Sequence, residues 1–295
     1  MTNFILDEGT IAYEDDYLLI IDKPAGMLVH PTVNEWGCTL YDYVTEYYQR
    51  KGITANIHPV SRLDRHTSGL VIFAKEPIIQ HWLSQQQMDK EYLAIVTGEL
   101  PNDEGIIEAP IARKEGSIIE RCVSENGKYA KTSYKLLAKR KGLSLLQVKL
   151  FTGRTHQIRA HMAHIGHPLL GDGKYGVNRE DAKIGYKFQA LYARKLVFRF
   201  KDDEGALGYL KGREVTLPDD AIWFYNDFFT REKTSAPRPP APRKQQMGTP
   251  KASFDAKPSQ AKKAPHSQPN CKHFERNGNP SSRAYGKGRG KGGSK

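Results

Sequence analysis

After Phe229 the chain has almost no aliphatic residues, and this break decides how much of it can fold. Pro237, Pro239, Pro240 and Pro242 open a stretch of Lys, Gln, Ser and Gly that cannot bury enough apolar surface to offset its ordering entropy. Residues 231–295 are therefore expected to be a disordered basic tail, and residues 1–230 a single domain. Charge divides at the same place. The tail carries 16 lysines and arginines against three acids, a net of +13, while residues 1–230 hold 29 basic and 30 acidic residues, a net of −1. The chain total of +12 looks like a nucleic-acid footprint, yet the body must bind any polyanion through local grouping of charge. Gly286 to Gly293 imitates a dinucleotide-binding loop, but no strand precedes it and no helix follows, so that reading is rejected.

Within the body no apolar run is long enough to span a membrane, and Met1 to Asp7 lacks the pattern of a signal peptide. Cys38, Cys122 and Cys271 are scattered, which fits a reducing cytoplasm and argues against a disulfide scaffold or a cysteine zinc site. Leu18 to Asp22, Leu70 to Ala74, Glu91 to Val96, Leu196 to Phe200 and Glu214 to Leu217 read as strands. Thr132 to Ala138 and Leu143 to Leu150 read as a hairpin turning near Lys141-Gly142. One helix should begin after Thr39 as N-cap, a second at Pro77 with Ile78, Trp82 and Leu83 facing inward. A third should span Thr155 to Ile165, capped by Thr155, with Ile158, Met162 and Ile165 on its apolar side. Strands in hairpin succession with few helices predict an α+β fold around a mixed, largely antiparallel sheet with flanking helices and loops.

Three constellations bear on chemistry. Asp64 lies in a polar segment between Arg62 and Arg65, whose guanidiniums would hold a carboxylate ionised, as suits a nucleophile or base. Taken alone, the segment fits a loop aspartate capping a turn better. Gly153 to His161 opens the third helix, where amides and Arg154 make a phosphate-friendly end and Arg159 could point inward at a carboxylate. An ordinary amphipathic helix explains the same pattern equally well. Tyr92 on a central strand reads first as core packing, and second as an aromatic plane for an unstacked base. His156, His161, His164 and His167 invite a metal reading, but there is no HExxH, no carboxylate in a third position and no cysteine partner, so no metal is expected.

Together the motifs resemble the RluA-type family of pseudouridine synthases. They are Lys23-Pro24-Ala25-Gly26, Arg62-Leu63-Asp64-Arg65 with Thr67-Ser68-Gly69, Lys90-Glu91-Tyr92-Leu93-Ala94, Gly153 to Arg159, Gly166-His167-Pro168 and Gly171-Asp172. The resemblance implies the pseudouridine synthase fold and isomerisation of uridine in ribosomal or transfer RNA, with no cofactor and no metal. The base must first be flipped out of its stack. It makes Asp64 the essential aspartate, whether that carboxylate attacks C1′, adds to the base or removes the 2′ proton. Tyr92 corresponds to the tyrosine that stacks on uracil and helps remove the C5 proton, and Arg159 to the basic residue paired with the aspartate. Arg62, Arg65, Arg154, His156 and Lys23 are the expected substrate contacts, Arg62 filling the vacated stack. Ser61 departs from the histidine of many relatives, and the N-terminal RNA-binding domain some carry is not expected before Tyr13. The basic tail is expected to supply RNA affinity in that domain's place. A monomer is expected. The rivals are a catalytically silent RNA-binding or ribosome-assembly protein of the same fold, and a hydrolase releasing free uracil.

Overall fold

The computed structural model describes residues 4–230, apart from 55, 177–180, 182–184, 201–204 and 206. The expected disorder of 231–295 lies outside the described residues. The first half contains β1 (Ile11–Glu14), β2 (Leu18–Lys23), α1 (Leu40–Arg50), β3 (His58–Pro59), β4 (Ser68–Ala74), α2 (Pro77–Gln85) and β5 (Met88–Thr97). There follow β6 (Glu104–Glu108), β7 (Ile111–Arg113), β8 (Arg121–Val123), β9 (Lys131–Arg140), β10 (Leu143–Leu150) and α3 (Gln157–His164). Then come β11 (Leu191–Phe198), β12 (Glu214–Thr216) and α4 (Tyr225–Thr230).

The main sheet runs β1-β2-β4-β11-β5-β10-β9-β6, with β3 also on β4 and β12 also on β11. Every pairing in it is antiparallel except β4 with β11, so the expected mixed, largely antiparallel α+β architecture is the one observed. Strands β7 and β8 form a separate two-stranded ribbon.

Local signals explain much of this. Thr39 caps α1 in a reciprocal capping box with Asp42, and Pro77 opens α2. Lys141 and Gly142 both take positive φ, as a two-residue turn between β9 and β10 requires. One expectation shifts. Ile78 points to solvent and its neighbour Ile79 is buried with Leu83, a one-residue rotation of the α2 apolar face. Cys122 is a free thiol, as expected.

The central strands are apolar on both faces because the sheet is covered on both. On one face, Leu18 and Ile20 of β2, Leu70 and Ile72 of β4 and Leu93 and Ile95 of β5 join one continuous cluster beneath α2. The other face carries two clusters. One lies under α1 and holds Leu19, Ile21, Val71 and Phe73; the second lies under α3 and holds Tyr92, Ala94 and Val96. Leu63 packs against both. The residue before Asp64 therefore sits over the junction of the two clusters.

That junction is also where the sheet runs parallel, through only two residue pairs, Ser68 with Tyr192 and Ala193 with Gly69. Gly69 holds φ at +109°, and a Cβ there would meet the Ala193 carbonyl oxygen at 2.3 Å. No side chain can move aside, because the obstacle is backbone. Gly69→Ala should destabilise the fold by more than about 2 kcal/mol, read as a lower midpoint in a urea titration. An unchanged midpoint would show that the two strands separate at little cost.

Candidate active site

Asp64 sits in the loop between β3 and β4, and four contacts fix that loop. Asp64 O accepts from Thr67 N at 3.1 Å, and Arg65 O accepts from Gly26 N at 2.8 Å. Lys23 Nζ donates to Arg65 O at 3.1 Å and to Pro24 O and Met27 O at 2.9 Å each. The Arg65 guanidinium forks onto Glu35 at 2.7 and 2.6 Å. The first closes a turn within the loop, and the other three tie it to the lobe under α1.

Two expected substrate contacts are thereby reassigned. Lys23 is fully buried and its ammonium faces three carbonyls, so it braces the loop from behind. Burial pushes its pKa down to about 7, against the opposing pull of Asp64 and Asp22. Arg65 flanks Asp64 in sequence but turns away to the buried Glu35. The guanidinium on the Asp64 carboxylate comes instead from α3.

That helix begins two residues later than expected. Thr155 caps nothing and is exposed; His156 precedes the helix with φ +57° and makes no side-chain cap. The buried Gln157 organises this end. Its Oε1 accepts from Arg154 N and Thr152 Oγ1, and its Nε2 donates to Lys131 O and Thr132 Oγ1. Residues Gln157 to Met162 are all buried, so α3 is an internal helix and not an amphipathic surface one. His161 meets Thr132 Oγ1 and Ala109 O at 2.9 Å each, and so both its ring nitrogens serve packing.

Being internal, α3 places Arg159, 4% exposed, between two carboxylates. Its Nε and Nη2 grip Asp172 at 2.7 and 2.9 Å, and its Nη1 donates to Asp64 Oδ2 at 2.8 Å. Burial alone would lower the Arg159 pKa, but the bonds and charges of Asp172 and Asp64 outweigh it and raise it. Asp172 is fully buried and also accepts from the backbone N–H groups of Lys174 and Tyr175. The Tyr175 ring lies 5.0 Å from the guanidinium carbon. Its hydroxyl meets His156 Nδ1 at 3.0 Å and accepts from Arg121 N at 2.8 Å. Asp64 Oδ2 also lies 3.8 Å from His156 Nε2. Burial holds His156 below the ordinary histidine range, against the pull of Asp64. Among the described residues, Asp64 Oδ1 accepts no hydrogen bond.

Asp64 opens into a cleft of about 590 Å³, whose walls include Arg62, Tyr92, Arg154, His156 and Arg159. Tyr92 stands on β5 between Val148 of β10 and Ala193 of β11, 6% exposed. Burial first, and then the charge of Asp64, raise its hydroxyl pKa, so the phenol keeps its proton at neutral pH. Arg62 and Arg154 are exposed, and Arg154 Nε is tethered to Tyr129 O at 2.9 Å. Six of the eight expected residues therefore meet in one cleft, while Lys23 and Arg65 support it from within. The sequence reading had given Asp172 and Tyr175 no role. A glycine-aspartate pair is too common to signal a buried guanidinium clamp.

A family model described as RNA pseudouridylate synthase matches residues 17–164, half of the chain. The chain belongs to this family. Among curated relatives, ribosomal large subunit pseudouridine synthase D of Nitrosomonas europaea is 39% identical over 219 residues, 71% of this chain and 62% of that protein. A Bacillus subtilis protein named uncharacterized RNA pseudouridine synthase YhcT is 40% identical over 196 residues, 64% of this chain and 63% of its own length. The chain thus spans somewhat under two thirds of either relative. Human RNA Pseudouridylate Synthase Domain Containing 1 shares the fold, with a TM-score of 0.58 at 21% identity over 75% of this chain and 89% of that one.

Proposed function

We propose that this protein isomerises uridine to pseudouridine within structured RNA, with Asp64 as the essential carboxylate. The observation that carries the reading is the Asp64–Arg159–Asp172 relay at the base of a cleft walled by Tyr92. Asp172 holds two guanidinium nitrogens and leaves the third for Asp64, which fixes one carboxylate oxygen and presents the other to the cleft. The N1–C1′ bond breaks, the uracil turns within the cleft, C5 joins C1′, and the C5 proton leaves while N1 takes one up. Enclosure matters, because the detached base must be retained while it rotates. Tyr92 forms the wall against which it stacks, and its protonated hydroxyl suits donation or relay of a proton better than abstraction by a phenolate. Arg62, exposed and lining the cleft, fills the vacated stack in this reading, and Arg154 and His156, which line the same cleft, meet the RNA strand.

The substrate is ribosomal or transfer RNA, and the working form is a cytoplasmic monomer. No described helix is long and apolar enough to cross a membrane. The test is to map pseudouridines in total RNA from cells with and without the protein, then to repeat the reaction with purified components. New pseudouridine at discrete positions, with RNA mass unchanged, is the expected result. Release of free uracil would identify a hydrolase, and neither product would identify a silent RNA binder.

RNA affinity is proposed to come largely from residues 231–295, given the +13 there against −1 in the body. A chain ending at Phe229 should bind RNA more weakly at low salt, and its affinity should fall less steeply with salt. Equal affinity and equal slope would place the binding charge in the body.

A further inference from the structure

Lys90 is the one cation lining the cleft that is withdrawn from water without a partner among the described residues. It stands two residues before Tyr92 on β5, so strand alternation puts both side chains on the cleft side, and both line the cleft. Its backbone is paired with Leu150 of β10 and Leu196 of β11. No carboxylate, carbonyl or hydroxyl meets its ammonium among the described residues. The other cations here are provided for. Arg159 has two carboxylates, Lys195 pairs with Glu214 at 2.5 Å, and Arg62 and Arg154 reach water. Burial lowers the Lys90 pKa, and no neighbouring charge opposes it. Beside it a small recess of about 10 Å³, close to the size of one water, is shared with Ser61, Arg62 and Tyr92.

A half-buried ammonium without an anion costs stability in the free protein, and such a cost is recovered where a ligand brings the anion. We propose that Lys90 forms a subsite for a backbone phosphate of the bound RNA strand, next to the flipped nucleotide. The proposal rests on the reading of the cleft as an RNA site. A phosphate is favoured over a uracil carbonyl because the base belongs against Tyr92 and Asp64.

The test uses the full-length chain and a fluorescent short oligouridylate, with affinity measured across a salt series. Lys90→Met keeps the stem and removes the charge. Its affinity at low salt should fall roughly five- to tenfold, and the slope of log affinity against log salt should lessen by about 0.7, the value for one contact on a single strand. Lys90→Arg should restore both. The thermal midpoint of Lys90→Met should hold or rise; should that variant not fold, Lys90→Gln gives the same reading. Unchanged affinity and slope would overturn the proposal. A loss of affinity with the slope intact would also overturn it, since it would mean a neutral contact to a base. Because binding is read without turnover, the outcome is independent of whether the wild-type protein makes pseudouridine.

Discussion

Asp64→Asn should yield a folded protein that binds RNA and makes no detectable pseudouridine, a loss of about 10⁴-fold or more in turnover. The substitution removes one negative charge and little volume. The amide oxygen can still accept from Arg159 Nη1, and Arg159 keeps its two bonds to Asp172. The loop stays pinned by Lys23 and by Arg65 on Glu35, neither of which involves the Asp64 side chain. The thermal midpoint should therefore move little while the chemistry stops. Pseudouridine mapping and a binding isotherm on one preparation separate the two effects. Turnover in this variant would refute Asp64 as the essential carboxylate, and loss of binding would show that its charge serves affinity.

The second large effect is expected at Asp172. Asp172→Ala strips two hydrogen bonds from a guanidinium that is 4% exposed and leaves Asp64 as its only carboxylate. Breaking a buried pair by removing one partner costs about 3–5 kcal/mol, because the remaining charge stays desolvated. A chemical denaturation curve should show that loss, with activity falling as Arg159 loses its orientation. Arg159→Lys separates structure from geometry. The charge survives but the fork cannot hold both carboxylates, so folding should persist while kcat drops by about 10²-fold or more. If Asp172→Ala were as stable as wild type, the clamp would be incidental to the fold.

Where a local signal sufficed, the structure was legible in advance. The Thr39 cap, the Pro77 helix start and the Lys141-Gly142 turn each depend on a few adjacent residues. The start of α3 was misplaced because Gln157 ties it to Lys131 and Thr132, far away in sequence. Asp64, Tyr92 and Arg159 were singled out through ordered motifs and not through local pattern, which taken alone favoured ordinary roles for the first two and left the third even. Arg65 and Lys23 were misassigned for a physical reason: an exposed cation and a braced one look alike until partners 30 and 42 residues away are known. Asp172 had no legible role, since only the fold brings it under Arg159.

The short parallel pairing of β4 with β11 bears on the order in which the cleft is assembled. Gln189 Nε2 donates to Thr67 Oγ1 across 122 residues of chain, just beside that pairing. Contacts of such separation form late, because the intervening loop must close before they reward it. A ribosome making this protein exposes Asp64 long before it releases Arg159, and Asp172 and β11 later still. Through that interval the nascent chain carries the aspartate without its clamp. The Asp64 carboxylate thus gains its guanidinium and that guanidinium its second carboxylate only once residue 172 has been made, so the three charged groups are assembled together and not one by one.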